Sequence, residues 1–287
     1  AADLMLAGGV ESMSLVPMGG HHPACNPAVF MRREDYGIAY GMGITAEKVA
    51  AQFKVSRKDQ DSWAAESHAR ALKAIEHGDF KDELLPYEVT HAVPQAKQAG
   101  LDRHRRTCDT DEGPRPGSTP EVLARLRPAF AAKGSVTAGN SSQMSDGAAM
   151  CLVASERAVK DYGLTPLARL VSFRVVGVAP EIMGIGPKAA IPEALNAAGL
   201  KLNDIDWIEL NEAFAAQTVA VVHELGLDPE KTNPLGGAIA LGHPLGCTGA
   251  KLTATALHAL VRRKLKYALV TMCIGTGMGA AGVFERV

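Results

Sequence analysis

Trp207-Ile208-Glu209-Leu210-Asn211-Glu212-Ala213-Phe214 changes its period partway along. Residues 207–210 suit a buried strand. From Asn211 onward, Phe214, Thr218, Val221, Val222 and Leu225 fall along one stripe of a helix. A strand that becomes a helix within a residue or two belongs to a layered α/β protein. Such a turn faces the carboxyl end of the sheet, where open α/β folds place ligands. Asn211 at that turn is either a plain helix N-cap or an amide presented to a ligand.

The neighbouring stretches repeat the alternation. Residues 167–178 are strand-like, residues 192–198 form a short helix with Gly199 at its stop, and residues 248–264 form another helix. Residues 267–272 and 280–285 are two strands flanking a tight glycine turn. The amino-terminal part is less regular. Residues 4–10 and 150–154 read as buried strands, and residues 15–45 as loop. Residues 45–76 read as helix with Thr45 as cap, and residues 86–120 as a polar, proline-rich surface excursion. The chain enters Leu4-Met5-Leu6-Ala7 directly, without an initiator Met, which predicts a strand whose upstream partners are absent.

With 287 residues, 47% apolar and 5% aromatic, the chain is an ordered α/β protein of two or three units rather than a disordered one. A net charge of -1 offers nothing global to nucleic acid or to an anionic membrane, and the apolar runs are too short to span a bilayer. Cys25, Cys108, Cys151, Cys247 and Cys273 are odd in number and form no CxxC pair. Reduced thiols in a cytoplasmic setting are therefore expected.

Three clusters could carry chemistry. Asn211-Glu212-Ala213-Phe214 is the first. The second runs from Gly236 to Gly246 and holds one histidine, His243, among glycines and before Pro244. The third is Cys273-Ile274-Gly275-Thr276-Gly277-Met278-Gly279, after an apolar strand. Taken singly, each has a bland alternative: a cap, a structural imidazole, a small buried thiol. All three lie at strand ends of one α/β unit, and His, Cys and Asn together suit acyl transfer with a stabilised oxyanion. No metal-ligand spacing, G-x-S-x-G, GxGxxG or P-loop lysine pattern is present.

Gly8-Gly9-Val10-Glu11-Ser12-Met13-Ser14, Asn211-Glu212-Ala213-Phe214-Ala215, Gly237 through Gly249 and Cys273 through Gly279 resemble the signature segments of the thiolase family, in the family's order and spacing. The resemblance implies a layered fold with mixed five-stranded sheets, the carboxyl-terminal domain complete and the amino-terminal domain partial. Residues 1–20 and 138–163 would be a remnant of the amino-terminal domain, 21–137 a loop domain that grips coenzyme A, and 164–287 the carboxyl-terminal domain. By the same resemblance His243 would activate the nucleophilic cysteine, and Cys273 would move the α-proton of acetyl-CoA. Asn211 would hold a water for the enolate oxyanion, and the Gly275 amide would serve the other oxyanion hole. Arg115 would meet the adenine-nucleotide end of CoA, and Ser142 the pantetheine. Met42, Phe130 and Phe214 would line the pocket. Arg103, Arg105, Arg106 and Arg115 make the excursion locally basic, apt for phosphates or simply solvated.

The subtype implied is a degradative 3-ketoacyl-CoA thiolase of the fatty-acid β-oxidation type, with acyl-CoA and coenzyme A as substrates, no further cofactor or metal, and a homodimeric or homotetrameric parent. Gly41, where biosynthetic relatives have His, weakens the biosynthetic alternative. A non-catalytic acyl-CoA-binding relative is a second alternative, and a carrier-protein-dependent ketoacyl synthase a weaker one. None of the five cysteines matches the family's acylated cysteine, so the chain is expected to be thiolytically inactive alone and poorly soluble, with any targeting signal lying upstream.

Overall fold

Trp207 and Glu209 point to one side of their strand and Ile208 and Leu210 to the other, yet all four are buried. A strand buried on both faces needs a helical layer on each side, and the computed structural model has that arrangement. It describes residues 2–31, 36–96 and 98–287. The elements are β1 (Leu4–Ser12), α1 (Pro27–Met31), α2 (Met42–Gln52), α3 (Arg57–Glu76), β2 (Tyr87–Pro94), β3 (Leu101–Cys108), α4 (Pro120–Leu123), β4 (Asp146–Ala154) and α5 (Glu156–Asp161). They continue with β5 (Ala168–Gly177), α6 (Gly186–Ala198), β6 (Trp207–Leu210), α7 (Ala215–Leu225), α8 (Ala238–Leu241), α9 (Thr248–Arg262), β7 (Tyr267–Ile274) and β8 (Met278–Arg286).

The carboxyl-terminal sheet is mixed, in the order β5-β8-β7-β6; β6 and β7 run parallel, and β8 is antiparallel to β7 and β5. On one face Ile208, Leu210, Leu269 and Val283 pack with Ile191 and Leu195 of α6 and Val219 and Val222 of α7. On the other, Trp207, Ala268 and Val270 pack with Leu252, Ala256 and Leu260 of α9. Each large aliphatic chain buried this way contributes about 1.5–3 kcal/mol.

The expected five strands are not formed; among the described residues this sheet has four. The fifth position, beside β6, is reduced to a single parallel bridge between Ile208 and Thr232. Asn233 follows with φ of 48°, and Pro234 has no N–H to donate, so the segment cannot continue as a strand.

β1 and β4 pair antiparallel from Leu4↔Ala154 to Ser12↔Asp146, and α9 packs against them. Among the described residues these two strands are the whole of that sheet, and Leu6, Val10 and Met150 are 66%, 72% and 62% exposed. Gly9 lies directly against the loop that carries His243: a Cβ there would sit 1.8 Å from the Gly246 carbonyl oxygen. The Gly8-Gly9 pair is therefore a backbone-to-backbone contact rather than a turn.

Residues 45–76 form two helices rather than one. α2 begins at Met42 with Gly41 as N-cap, so Thr45 is internal and its hydroxyl donates to the Met42 carbonyl at 2.7 Å. Lys54, with φ of 55°, breaks the path, and Ser56 with Asp59 caps α3 reciprocally. The polar stretch after residue 86 is partly the exposed hairpin β2–β3. Among the described residues no helix is long and apolar enough to cross a membrane.

Candidate active site

α7 starts at Ala215, not at Asn211, because Phe214 is extended (φ -146°) and serves as its N-cap. Residues 211–214 therefore remain a short turn with fixed backbone. The Asn211 N–H donates to the Thr271 carbonyl of β7 at 3.0 Å, and its own carbonyl accepts from Gln217 Nε2 at 3.3 Å. With the backbone satisfied, the Asn211 side chain reaches His243: Nδ2 lies 3.3 Å from Nε2 of the imidazole.

The other ring nitrogen, Nδ1, is 2.7 Å from Thr248 Oγ1 in the first turn of α9. The Thr248 hydroxyl proton is already directed to the Pro244 carbonyl at 2.8 Å. Its oxygen must then accept, which assigns the proton of the neutral imidazole to Nδ1 and leaves a lone pair on Nε2. Burial, aided by the charge of Lys251, lowers the His243 pKa to about 4, so the ring is a free base at neutral pH. Gly242, at φ +88°, makes the bend that aims it, and a Cβ there would meet Ser145 Oγ at 2.3 Å.

Asn211 Oδ1 is buried and has no hydrogen-bond partner. It is an acceptor aimed beside the His243 base and suits a single bound water. Cys273 is the penultimate residue of β7, two residues beyond the strand position that anchors Asn211. It is buried against Met183 and Ala213, with Met42 and Phe214 packed around it. Burial pushes its thiol up to about 11, so at neutral pH it keeps its proton and is a donor rather than a ready thiolate. The Gly275 N–H has no backbone acceptor among the described residues, and the space at its Cβ position is open.

The pocket residues read from the sequence separate into two groups. Phe130 and Phe214 meet edge to face with centroids 5.9 Å apart, and Met42 joins Phe214 at Cys273. Ser142 is drawn in through its backbone, whose N–H donates to the Ala213 carbonyl at 2.9 Å. Arg115 is exposed and apart from these; its N–H donates to His68 Nδ1 at 3.2 Å on α3. Arg105 and Arg106 pair with Glu88 and Glu112, which reduces the basic character expected of that region.

Among the described residues, none of the other four cysteines hydrogen-bonds to His243 or Asn211. Cys25 is exposed, and Cys108 ends the hairpin strand β3. Cys151 faces the Ala250 carbonyl, and Cys247 is buried at the start of α9 with its thiol pushed up by burial. Among the described residues no cluster of His, Cys, Asp or Glu could hold a metal. Two cavities of about 430 and 460 Å³ lie beyond Glu212, around Glu66 and Arg70, and neither is lined by His243 or Cys273.

Thr248 and Lys251 do not stand out in the sequence as site residues, and Glu212 does so only as a member of the Asn211 cluster. Thr248 was legible as a hydroxyl in the helix turn following His-Pro. Glu212 was quoted only as part of its motif, but it is a buried acceptor of four hydrogen bonds.

Asn211 and Cys273 lie at the ends of β6 and β7, whereas His243, expected at a strand end as well, sits on the loop between α8 and α9. A neutral imidazole with a lone pair, a vacant amide acceptor and a protonated thiol suit acyl transfer. The chain belongs to the thiolase family: the model of the thiolase N-terminal domain matches residues 1–157 and that of the C-terminal domain residues 164–286. It is 52% identical over 285 residues to a 3-ketoacyl-CoA thiolase of Bacillus subtilis, covering 99% of this chain and 72% of that protein. It is 50% identical to the human peroxisomal 3-ketoacyl-CoA thiolase, covering 66% of it. The chain thus spans about two thirds of the length of these relatives. Among solved structures, the dimeric peroxisomal thiolase of Saccharomyces cerevisiae superposes with a TM-score of 0.85 at 47% identity, over 99% of this chain and 69% of that one. The human mitochondrial 3-ketoacyl-CoA thiolase in complex with CoA gives 0.85 at 42% identity, over 100% and 71%.

Proposed function

We propose that this chain carries the acid–base and CoA-binding machinery for acyl transfer between a 3-ketoacyl-CoA and coenzyme A, yielding acetyl-CoA and a shortened acyl-CoA. The observation that carries the reading is the Thr248–His243–Asn211 chain, which leaves an unprotonated Nε2 and an unpaired Asn211 Oδ1 side by side.

The steps balance as follows. A cysteine thiolate, its proton taken by His243 Nε2, attacks the 3-keto carbonyl. The bond between C2 and C3 breaks, and its electron pair moves onto the acetyl-CoA enolate. A water on Asn211 Oδ1 steadies the enolate oxygen, and the Cys273 S–H protonates the carbon. Coenzyme A, its thiol deprotonated by the Cys273 thiolate left from the preceding step, then takes the acyl group from the enzyme sulfur, which leaves as a thiolate and recovers its proton from His243. The Gly275 N–H supports the second oxyanion, whose donors are worth about 10²–10³-fold each. Met42, Phe130 and Phe214 would wall the acyl and pantetheine path beside Ser142, and Arg115 would meet the nucleotide phosphates. The three units 1–20 with 138–163, 21–137 and 164–287 would divide this work.

In this reading Cys273 is the carbon acid–base and the acylated cysteine is supplied from outside the five cysteines present. The names of the relatives support degradation over biosynthesis, as does Gly41. The dimeric yeast structure supports a homo-oligomer. Five unpaired thiols fit a reducing, cytosol-like compartment, although several relatives are peroxisomal by name. The test is thiolysis of a medium-chain 3-ketoacyl-CoA by the chain alone and with a thiolase segment bearing the acylated cysteine added at its amino end. Silence alone and turnover on extension support the reading. Turnover by the chain alone assigns the nucleophile to one of its own cysteines and overturns that part.

A further inference from the structure

One face of α9 holds three polar side chains over an otherwise apolar packing surface: Thr248, Lys251 and Thr255, spaced i, i+3 and i+7. Thr248 holds the His243 imidazole. Thr255 donates to Glu83 Oε1 at 2.9 Å, and Glu83 comes from the segment between α3 and the β2–β3 hairpin. Lys251, between them, is partly buried, and its Nζ lies 3.5 Å from the Gly242 carbonyl, the peptide that precedes His243. Among the described residues no carboxylate forms a salt bridge with Lys251.

We propose that Lys251 is a positioning residue for His243: its ammonium holds the Gly242 carbonyl and sets a positive charge beside the loop that carries the imidazole, with Glu83, held by Thr255 on the same helix face, as its counter-group. The proposal rests on reading His243 as the base.

Every element packed around Lys251 contributes a group that feels it. His243 is lowered first by burial and then by Lys251. From β6, buried Glu209 is raised to about 8 by burial, against the Trp207 hydrogen bond and the Lys251 charge, with Glu83 and Glu212 raising it further. Glu83 is raised to about 7 by burial, against Thr255, Lys251 and Arg262, with Asp111 raising it. Cys247 is raised by burial, opposed by Lys251 and reinforced by Glu11 and Asp111. One ammonium thus stands near Glu209, which is largely protonated at neutral pH, and Glu83, which titrates there, so only a partly ionised Glu83 offsets its field at His243. When Glu83 ionises, that field weakens and the imidazole becomes easier to protonate.

The test is an NMR titration of His243 through its ring carbons in the full chain, which needs no turnover and so separates this proposal from the thiolase reading. Lys251→Met should raise the onset of imidazole protonation by about one pH unit, the size of one nearby like charge. It should also shift the Gly242 carbonyl resonance. Lys251→Gln, which keeps a donor for Gly242, should move only the titration, and Lys251→Arg should restore both. In the native chain the His243 signal should show a small inflection near neutral pH that Glu83→Gln removes. A His243 titration unchanged in both the Met and Gln variants, or no rescue by Arg, overturns the role of Lys251. An inflection that is absent, or that survives Glu83→Gln, removes Glu83.

Discussion

Glu212→Gln should destabilise the protein by an amount that the hydrogen-bond geometry fixes. Oε1 accepts from Trp63 Nε1 at 2.9 Å and Asn233 Nδ2 at 2.8 Å; Oε2 accepts from Ser67 Oγ at 2.7 Å and Ile239 N at 3.3 Å. These donors come from α3, the segment beside β6, and α8, so one carboxyl fastens three pieces of chain behind Asn211. The amide keeps the size but turns one oxygen into a donor. If that donor replaces Oε1, the Trp63 and Asn233 N–H groups both face it, and neither can reverse. If it replaces Oε2, Ser67 can rotate its hydroxyl and accept, as it already does from the Gly237 N–H at 3.0 Å, and only the Ile239 N–H is orphaned. The second orientation costs less, so the loss is that of one unpaired buried donor, about 1–3 kcal/mol. Glu212→Ala orphans all four donors and opens a cavity, so it should cost more than about 4 kcal/mol. Urea unfolding followed by tryptophan fluorescence measures both. A Gln variant as stable as the parent, or as damaged as the Ala variant, refutes the reasoning.

Glu209→Gln should gain stability relative to the parent as pH rises from 5 to 9. The Glu209 pKa is about 8 in the folded chain and near 4.5 unfolded, so between those values unfolding releases a proton and rising pH erodes stability. The difference in Tm across that range is the readout, and a flat difference counts against a protonated Glu209. Gly43→Ala should drive a methyl to within 2.1 Å of the Phe130 ring and unseat its edge-to-face contact with Phe214. A loss of about 1–3 kcal/mol is expected by calorimetry, along with weaker acyl-CoA binding by titration; an unaltered Tm places Phe130 elsewhere.

What the sequence made legible was what its pattern controls locally. Residues 207–210 are readable as a strand because the run is apolar and ends at a change of period, and β6 spans the same residues. The Asn211, His243 and Cys273 clusters stand out in the sequence by their glycine-rich surroundings, and the fold brings the Asn211 side chain beside His243. The start of α7 was misplaced because Phe214, which no capping rule favours, takes the extended N-cap geometry. Thr45 was mistaken for a cap because its hydroxyl bonds inward, to Met42, from inside α2. The fifth strand failed on Asn233, whose left-handed backbone leaves no trace in hydrophobic periodicity. Lys251 leaves no mark in the sequence because a polar residue on a helix face looks the same whether it meets solvent or a neighbouring backbone carbonyl.

Asn233 does more than end that strand. Its side chain accepts from the Leu210 N–H at 2.8 Å and donates to the Leu210 carbonyl at 2.8 Å, while its backbone N–H donates to Ile208 and the Lys231 carbonyl accepts from Ile208. A side-chain amide thus stands in for a peptide group, and every outward-facing polar group of Ile208 and Leu210 is taken. The sheet is sealed on this flank against recruitment of a foreign strand, while at the opposite flank β5 has, among the described residues, only β8 as neighbour. A strand added to this sheet would therefore pair along β5 and not along β6.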